Sequence, residues 1–236
     1  MKSIFFFLLF ISIGFCYGQT IEKSLVQIQA IHHASLMLKY NDLSILVDPS
    51  GDWKDFESFP EPEIILITHT HGDHLNHELV GKLKSEKTSI IGSKAAIKQL
   101  GYGIVMENEE TLTSKGIKIE AIAAYNTTEE RKQQHERGVG NGYVLTLGKE
   151  RVYISGDSED IREMRNLKNI DHAFVCMNLP FTMTPEQAAS AVLDFKPKKV
   201  YPYHYSEKKG FSNIEKFQSL VAEDKTIDVI FLKWYN

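Results

Sequence analysis

Cysteine is scarce in this 236-residue chain, which holds two, Cys16 and Cys176. Cys16 falls in the apolar start, so the rest of the chain keeps one, and a lone cysteine excludes an internal disulfide framework. Cys176 lies inside Ala173-Phe174-Val175-Cys176-Met177 and is expected as a small buried hydrophobe. Clustered positive charge is also missing. The chain carries 27 Lys and Arg against 31 Asp and Glu, a net charge of -4. No basic cluster is interleaved with exposed aromatics, so a nucleic-acid partner is not expected. Lys196, Lys198 and Lys199 come nearest, and they read as covering a helix end beside a strand. There is no low-complexity segment and no visible internal repeat. No apolar run reaches the roughly 20 residues of a membrane span. The nearest, Ile4 to Cys16, is short and interrupted by Gly14.

That short run has the form of a secretory signal peptide. Met1-Lys2-Ser3 carries a positive charge, an apolar stretch follows, and Gly18 offers a small residue before Gln19. Residues 1–18 are expected to be removed and the protein exported, periplasmic or secreted, with no stable membrane insertion afterwards. Lipid attachment at Cys16 is not expected, because bulky Phe15 precedes it. Residues 19–236 then fit one domain.

Within that domain the hydrophobic pattern predicts strands over Leu25–Ile31, Ser35–Tyr40 and Leu43–Val47, with Asn41-Asp42 as a hairpin turn. Asp52 to Glu63 reads as a surface loop and Ile64–Ile67 as a buried strand. Helical spacing follows over 77–85 and 93–100, then short strands over 89–91, 103–106, 110–112 and 117–124. Residues 126–141 read as a long polar loop, a length that usually signals function or mobility. A hairpin over 143–154, a short helix over 161–167 and a strand over 173–177 come next. Thr184-Pro185-Glu186-Gln187 is a strong helix start, and that helix runs to Phe195. The chain closes with a strand to Tyr203, a helix over 212–221 and a strand over 228–232. Strands, then helices and strands, given twice over, suggest two sheets face to face with helices outside.

The chemistry concentrates in Thr68-His69-Thr70-His71-Gly72-Asp73-His74-Leu75-Asn76-His77, directly after a buried strand. In open sheets that edge is where ligands bind. So many imidazoles side by side would repel when protonated, and a divalent metal holds them neutral and paired. His69 and His71, two apart, point the same way in extended chain. Asp73 and His74, after a turn at Gly72, can aim at a second point. Two-metal hydrolases place their ions about 3.5–4 Å apart. Mixed imidazole and carboxylate ligation suits Zn²⁺, one or two ions, with Mn²⁺ or Fe²⁺ as alternatives. Asp157 and His204 each end an apolar strand and are candidates for the remaining ligands; a turn or capping role is the plainer alternative for Asp157. Gly138-x-Gly140-x-Gly142 precedes a strand and not a helix, which argues against dinucleotide binding. Ser155 and Ser158 lack a matching base, so a serine nucleophile is not expected.

His69-x-His71-x-Asp73-His74, then Gly156-Asp157 and strand-terminal His204, resembles the metallo-β-lactamase superfamily. His33-Ala34-Ser35, Asp48-Pro49, Gly140-Asn141-Gly142-Tyr143, Thr182 to Ala188 and Pro202-Tyr203-His204-Tyr205 resemble its ascorbate-phosphate-lactonase-like metal-dependent hydrolase branch. The resemblance implies an α+β fold, a four-layer αββα sandwich with metals at one edge of the sheets. It implies a hydrolase acting on an ester, lactone, amide or phosphoester of a small substrate, with Asp73 handling the proton. It also implies His33 as a group hydrogen-bonding a ligand. One position departs: where the family usually places a third histidine for the first metal, this chain has Asn126. Either His135 swings in, or Asn126 ligates or holds a water, or one metal alone binds tightly through Asp73, His74, Asp157 and His204. Arg137 beside His135 is a candidate for an anionic substrate. His32, His77 and His172 are expected as surface or capping residues. A non-catalytic metal- or ligand-binding protein on the same fold is the alternative to an enzyme.

Overall fold

The computed structural model describes residues 26–235. The expected signal peptide over 1–18, the domain start at residue 19 and Leu25 of the first strand lie outside the described residues. Six strands form the first sheet in chain order: β1 (Val26–His32), β2 (Ser35–Tyr40), β3 (Leu43–Val47), β4 (Ile64–Ile67), β5 (Ser89–Gly92) and β6 (Ile104–Val105). Seven form the second, also in order: β7 (Thr111–Ser114), β8 (Ile117–Ala124), β9 (Gly140–Leu147), β10 (Glu150–Ile154), β11 (His172–Cys176), β12 (Lys199–Tyr203) and β13 (Asp228–Val229). In each sheet an antiparallel meander passes into parallel strands joined by helices. In the first sheet these are α1 (His77–Leu83) and α2 (Lys94–Leu100); in the second, α3 (Arg162–Arg165), α4 (Pro185–Phe195) and α5 (Ile214–Val221). The plan thus occurs twice, as the order of predicted elements suggests, without a visible repeat of residues.

Alternation along the strands builds the layers. Leu36, Leu38, Ile45, Val47, Ile64 and Leu66 face the second sheet in the larger core. Their neighbours Met37, Leu46, Ile65 and Ile67 face the opposite way, against Leu79, Val80 and Leu83 of α1 and Ile97 of α2. Ala188, Val192 and Phe195 of α4 and Phe217 and Val221 of α5 cover the far side of the second sheet. The order is helix, sheet, sheet, helix: the αββα sandwich expected.

Local signals account for the element ends. Ser93 caps α2 and left-handed Gly101 closes it. Thr184 and Gln187 form the reciprocal capping box of α4, with Pro185 in its first turn. Cys176 is buried as expected, and burial pushes its thiol up to about 12. Other expectations need correction. The last strand ends at Val229 and not Leu232, because the chain leaves the sheet to bury Trp234 against Phe174 and Tyr203. The third helix is confined to Arg162–Arg165, as no side chain caps its start. Gly140 and Asn141 belong to β9 and not to the preceding loop. His172 is no surface residue: it is buried in β11 between Tyr201, 2.9 Å from its hydroxyl, and Glu150, 2.8 Å away. No helix among the described residues is long and apolar enough to cross a membrane.

Candidate metal centre

The candidate residues gather where strands run out at one edge of the sandwich. β4 runs into Thr68 and His69, β3 into Asp48, β10 into Asp157 and β12 into His204. The two sheets are tied at this edge: Asn141 N–H donates to the Thr68 carbonyl at 3.0 Å and the Tyr143 hydroxyl to the Ile67 carbonyl at 2.8 Å. Three strand-terminal side chains are aimed inward by left-handed backbone, at His33 (φ 53°), Asp48 (φ 46°) and His204 (φ 47°). Such conformations cost of order 1–3 kcal/mol each in non-glycine residues and cluster at functional sites. Gly156 (φ 59°) turns the chain before Asp157; a Cβ there would meet the Asn141 carbonyl oxygen at 2.8 Å.

Asp157 stands at the centre, buried, with one oxygen toward each of two clusters. Its Oδ2 lies 3.1 Å from His135 Nε2 and 3.9 Å from His69 Nε2. His69 Nε2 is in turn 3.1 Å from His71 Nδ1. Its Oδ1 lies 3.3 Å from His74 Nε2 and 3.3 Å from His204 Nε2. Asp73 Oδ2 is 3.5 Å from His204 Nε2 and 3.1 Å from His33 Nε2. Three sets therefore have potential ligand atoms mutually within 4.8 Å: His69, His71, His135 and Asp157; His74, Asp157 and His204; His33, Asp73 and His204.

Asp48 sets the orientation of two imidazoles. It is fully buried, accepting from Thr68 N–H at 2.7 Å, from the Thr68 hydroxyl at 2.7 Å and from His74 Nδ1 at 2.8 Å. Having given its proton to Asp48, the Thr68 oxygen accepts from His69 Nδ1 at 3.0 Å. Both rings thus carry a proton on Nδ1 and turn Nε2 toward Asp157, the carboxylate–histidine arrangement usual behind metal ligands. On the other side, Tyr235 hydroxyl meets His33 Nδ1 at 3.1 Å and the His33 ring lies 4.1 Å from that of His204. The Asn178 amide nitrogen rests against His204, 3.3 and 3.4 Å from its two ring nitrogens. Asp48 was legible as a strand end and as part of the branch resemblance but not as a partner of the histidines, and Asn178 and Tyr235 had no signal in the sequence, since none belongs to the histidine motif.

His135, and not Asn126, is the residue that faces Asp157. Asn126 Nδ2 donates to the carbonyls of Phe181 at 2.7 Å and Arg131 at 2.9 Å, and lies 3.3 Å from His135 Nδ1. It stands behind His135, whose Nδ1 is 3.2 Å from the Phe181 carbonyl while Nε2 faces Asp157. Asn126 supports an imidazole delivered by the following loop. Arg137 points elsewhere: it pairs with Glu163 at 3.0 Å over the Tyr125 ring and is exposed.

The donor set fits a metal. His74 Nε2, His135 Nε2 and Asp157 Oδ1 are buried and none has a hydrogen-bond partner among the described residues. Buried polar atoms without well-aligned partners are costly, and these gather about Asp157, His135 Nε2 at 3.1 Å from Oδ2 and His74 Nε2 at 3.3 Å from Oδ1. The electrostatics agree. Burial, with neighbouring imidazoles, holds His69 well below the usual histidine range, and burial lowers His71 and His204 as well. Burial would raise Asp157, but His204, His74 and His135 hold it far below the carboxylate range. Burial opposes charge on His74 too, yet Asp157 and Asp48 raise it. His69, His71 and His204 are thus held neutral beside an ionised Asp157, while His74 keeps a proton that a divalent cation would displace. A cavity of about 190 Å³ opens over His69, His71, His135 and Asp157, walled by Gln133, Gln134, Glu136 and Val139.

Comparison with known proteins gives the same direction. Residues 27–204 match the β-lactamase superfamily domain profile. A UPF0173 metal-dependent hydrolase of Methanopyrus kandleri is 30% identical over 196 residues, covering 76% of this chain and 84% of the relative. One of Thermococcus onnurineus is 32% identical over 190 residues, covering 73% and 80%. The crystal structure of a candidate metal-dependent hydrolase from Parabacteroides distasonis superposes with a TM-score of 0.82 at 45% identity, covering 89% of this chain and 94% of that one. A metallo hydrolase of Ignicoccus hospitalis, Igni18, shares the fold with a TM-score of 0.73 at 19% identity, over 88% and 94%.

Proposed function

Because the chain belongs to the β-lactamase superfamily domain family and is a metal-dependent hydrolase of it, we propose that it holds two divalent ions, bridged by Asp157, and hydrolyses a small substrate. His69, His71 and His135 with Asp157 would hold the first ion, and His74 and His204 with Asp157 the second, with Asp73 joining through its place 3.5 Å from His204. The carrying observation is Asp157 itself, a buried carboxylate with one oxygen in each cluster. Mixed imidazole and carboxylate ligation favours Zn²⁺, with Mn²⁺ or Fe²⁺ compatible. When bound, such ions supply Lewis-acid polarisation of the scissile group and lower the pKa of water toward ~7.

The chain's own residues do the rest. Asp73 is half-exposed at the mouth of the site, and the His33 hydrogen bond with the charges of His74 and His204 outweighs burial to keep it ionised. It is the group available to orient the attacking water and take its proton. His33, fixed by Tyr235, holds that carboxylate in place. Gln133, Gln134, Glu136 and Val139 wall the cavity in which an ester, lactone, amide or phosphoester binds. Completion of the first cluster by His135 favours an enzyme over a non-catalytic binding protein.

The purified chain is expected to carry close to two ions by plasma mass spectrometry, and to cleave at least one class in a panel of lactones, phosphodiesters and β-lactams. Asp73→Ala is expected to lose roughly 10²- to 10⁴-fold in kcat while ion binding at His69, His71 and His135 persists. A metal-free wild-type chain, or wild type inert across the panel, overturns the proposal. Export is part of the same reading and rests on the residue 1–18 pattern. The mature protein recovered from an expressing cell should begin at Gln19, and recovery of the intact amino terminus from the cytoplasm would refute it.

A further inference from the structure

We propose, resting on the two-ion reading, that Glu159 is the positioning residue of the first metal cluster, clamping the 125–139 loop so that His135 reaches Asp157. Among the described residues three carboxylates are buried: Asp48, Asp157 and Glu159. Asp157 lies between the clusters and Asp48 orients His69 and His74. Glu159 is the third, and every side-chain hydrogen bond it accepts comes from the loop that carries His135. Its Oε2 accepts from the N–H groups of Thr127 at 2.8 Å and Thr128 at 2.7 Å and from the Thr127 hydroxyl at 2.8 Å. Its Oε1 accepts from Arg131 Nε at 2.6 Å.

The clamp reaches the imidazole through a short chain of contacts. The Arg131 carbonyl accepts from the Asn126 amide, and Asn126 N–H donates to the His135 carbonyl at 2.9 Å. Glu159 N–H grips the start of the same loop, donating to the Tyr125 carbonyl at 3.0 Å. Glu159 also stands two residues from Asp157, so one segment supplies the bridging carboxylate and fixes the distance from it to His135. A carboxylate stripped of water is costly to keep unless each oxygen is well paired. A loop needing only closure could use surface pairs, as Glu129 and Lys132 do in the same loop at 2.5 Å. Burial would raise the Glu159 carboxyl; the Thr128 and Thr127 donors overcome it and hold it down to about 2.

Supporting groups behind metal ligands typically set affinity by roughly 10- to 100-fold. The full chain is loaded with Zn²⁺, ions per chain are counted, and the weaker site is titrated against a chelating dye. In Glu159→Gln one ion is expected to stay tight while the other weakens roughly 10- to 100-fold. In a His135→Ala background the same substitution is expected to add nothing at that site, because it acts only through His135. Arg131→Met removes the partner from the other side and should reproduce the effect if Glu159→Gln does not fold. Two ions held by the variants as tightly as by wild type would overturn the clamp, as would equal weakening of both sites or a further loss in the His135→Ala background. Wild type binding fewer than two ions would be seen before any variant is made, and would overturn the two-ion reading and this one with it.

Discussion

Asp48 carries more of the site than its position in the sequence suggests. One buried carboxylate satisfies Thr68 N–H and hydroxyl and His74 Nδ1, and through Thr68 fixes His69. Asp48→Ala would leave buried donors without an acceptor, a change that costs about 3 kcal/mol or more. Urea unfolding of the metal-free protein should show that loss, and both ions should bind more weakly, since each cluster loses one oriented imidazole. Undiminished stability would mean that the three donors find other acceptors. His33 and Asn178 act from the opposite side and touch only the second cluster, whereas Asp48, through Thr68, supports an imidazole of each.

The loop between β8 and β9 shows how an irregular element becomes part of a rigid site. Its length and polarity mark it as functional or mobile, and its hydrogen bonds to Glu159 show which. The pH dependence of that clamp follows from the direction of its shift. Glu159 has an ordinary value of 4.5 and is held at about 2 in the fold. Its stabilisation is therefore complete above about pH 4.5 and lost as the pH falls through about 2. The difference in unfolding free energy between wild type and Glu159→Gln should be largest above pH 5 and shrink steadily toward pH 2. A difference that stays constant across that range would show that the charge plays no part. By contrast, α4 is governed by its own local signals: capping box, proline and apolar stripe all lie where the sequence puts them.

Across the whole molecule, the site is a seam between two sheets. His33, Asp48, His69, His71, Asp73 and His74 come from the first sheet's edge, and His135, Asp157, Asn178 and His204 from the second's. Ions bound there would cross-link the halves. A ligand present at about 1,000 times its Kd stabilises by ~4 kcal/mol, and 1 kcal/mol moves the melting point of a domain this size by about 2–4 °C. Chelation should lower Tm by roughly 10 °C; an unchanged Tm would mean that no ion joins the sheets. The αββα order, the helices with their caps and the motif His69 to His74 follow from the sequence, because period, capping chemistry and short-range ligand spacing are local properties. So do Asp157 and His204, as polar residues ending apolar strands. What the sequence left open was whether His135, Asn126 or neither stands beside His69 and His71, and what it missed was how Asp48 lies beneath the histidines and Glu159 beneath the loop. Only the tertiary structure decided these, because each depends on which strand ends meet at one edge and on which polar atoms are then left without water. His172 was misread for the same reason: a charged-type residue reads as exposed until Tyr201 and Glu150, distant in the chain, are found against it.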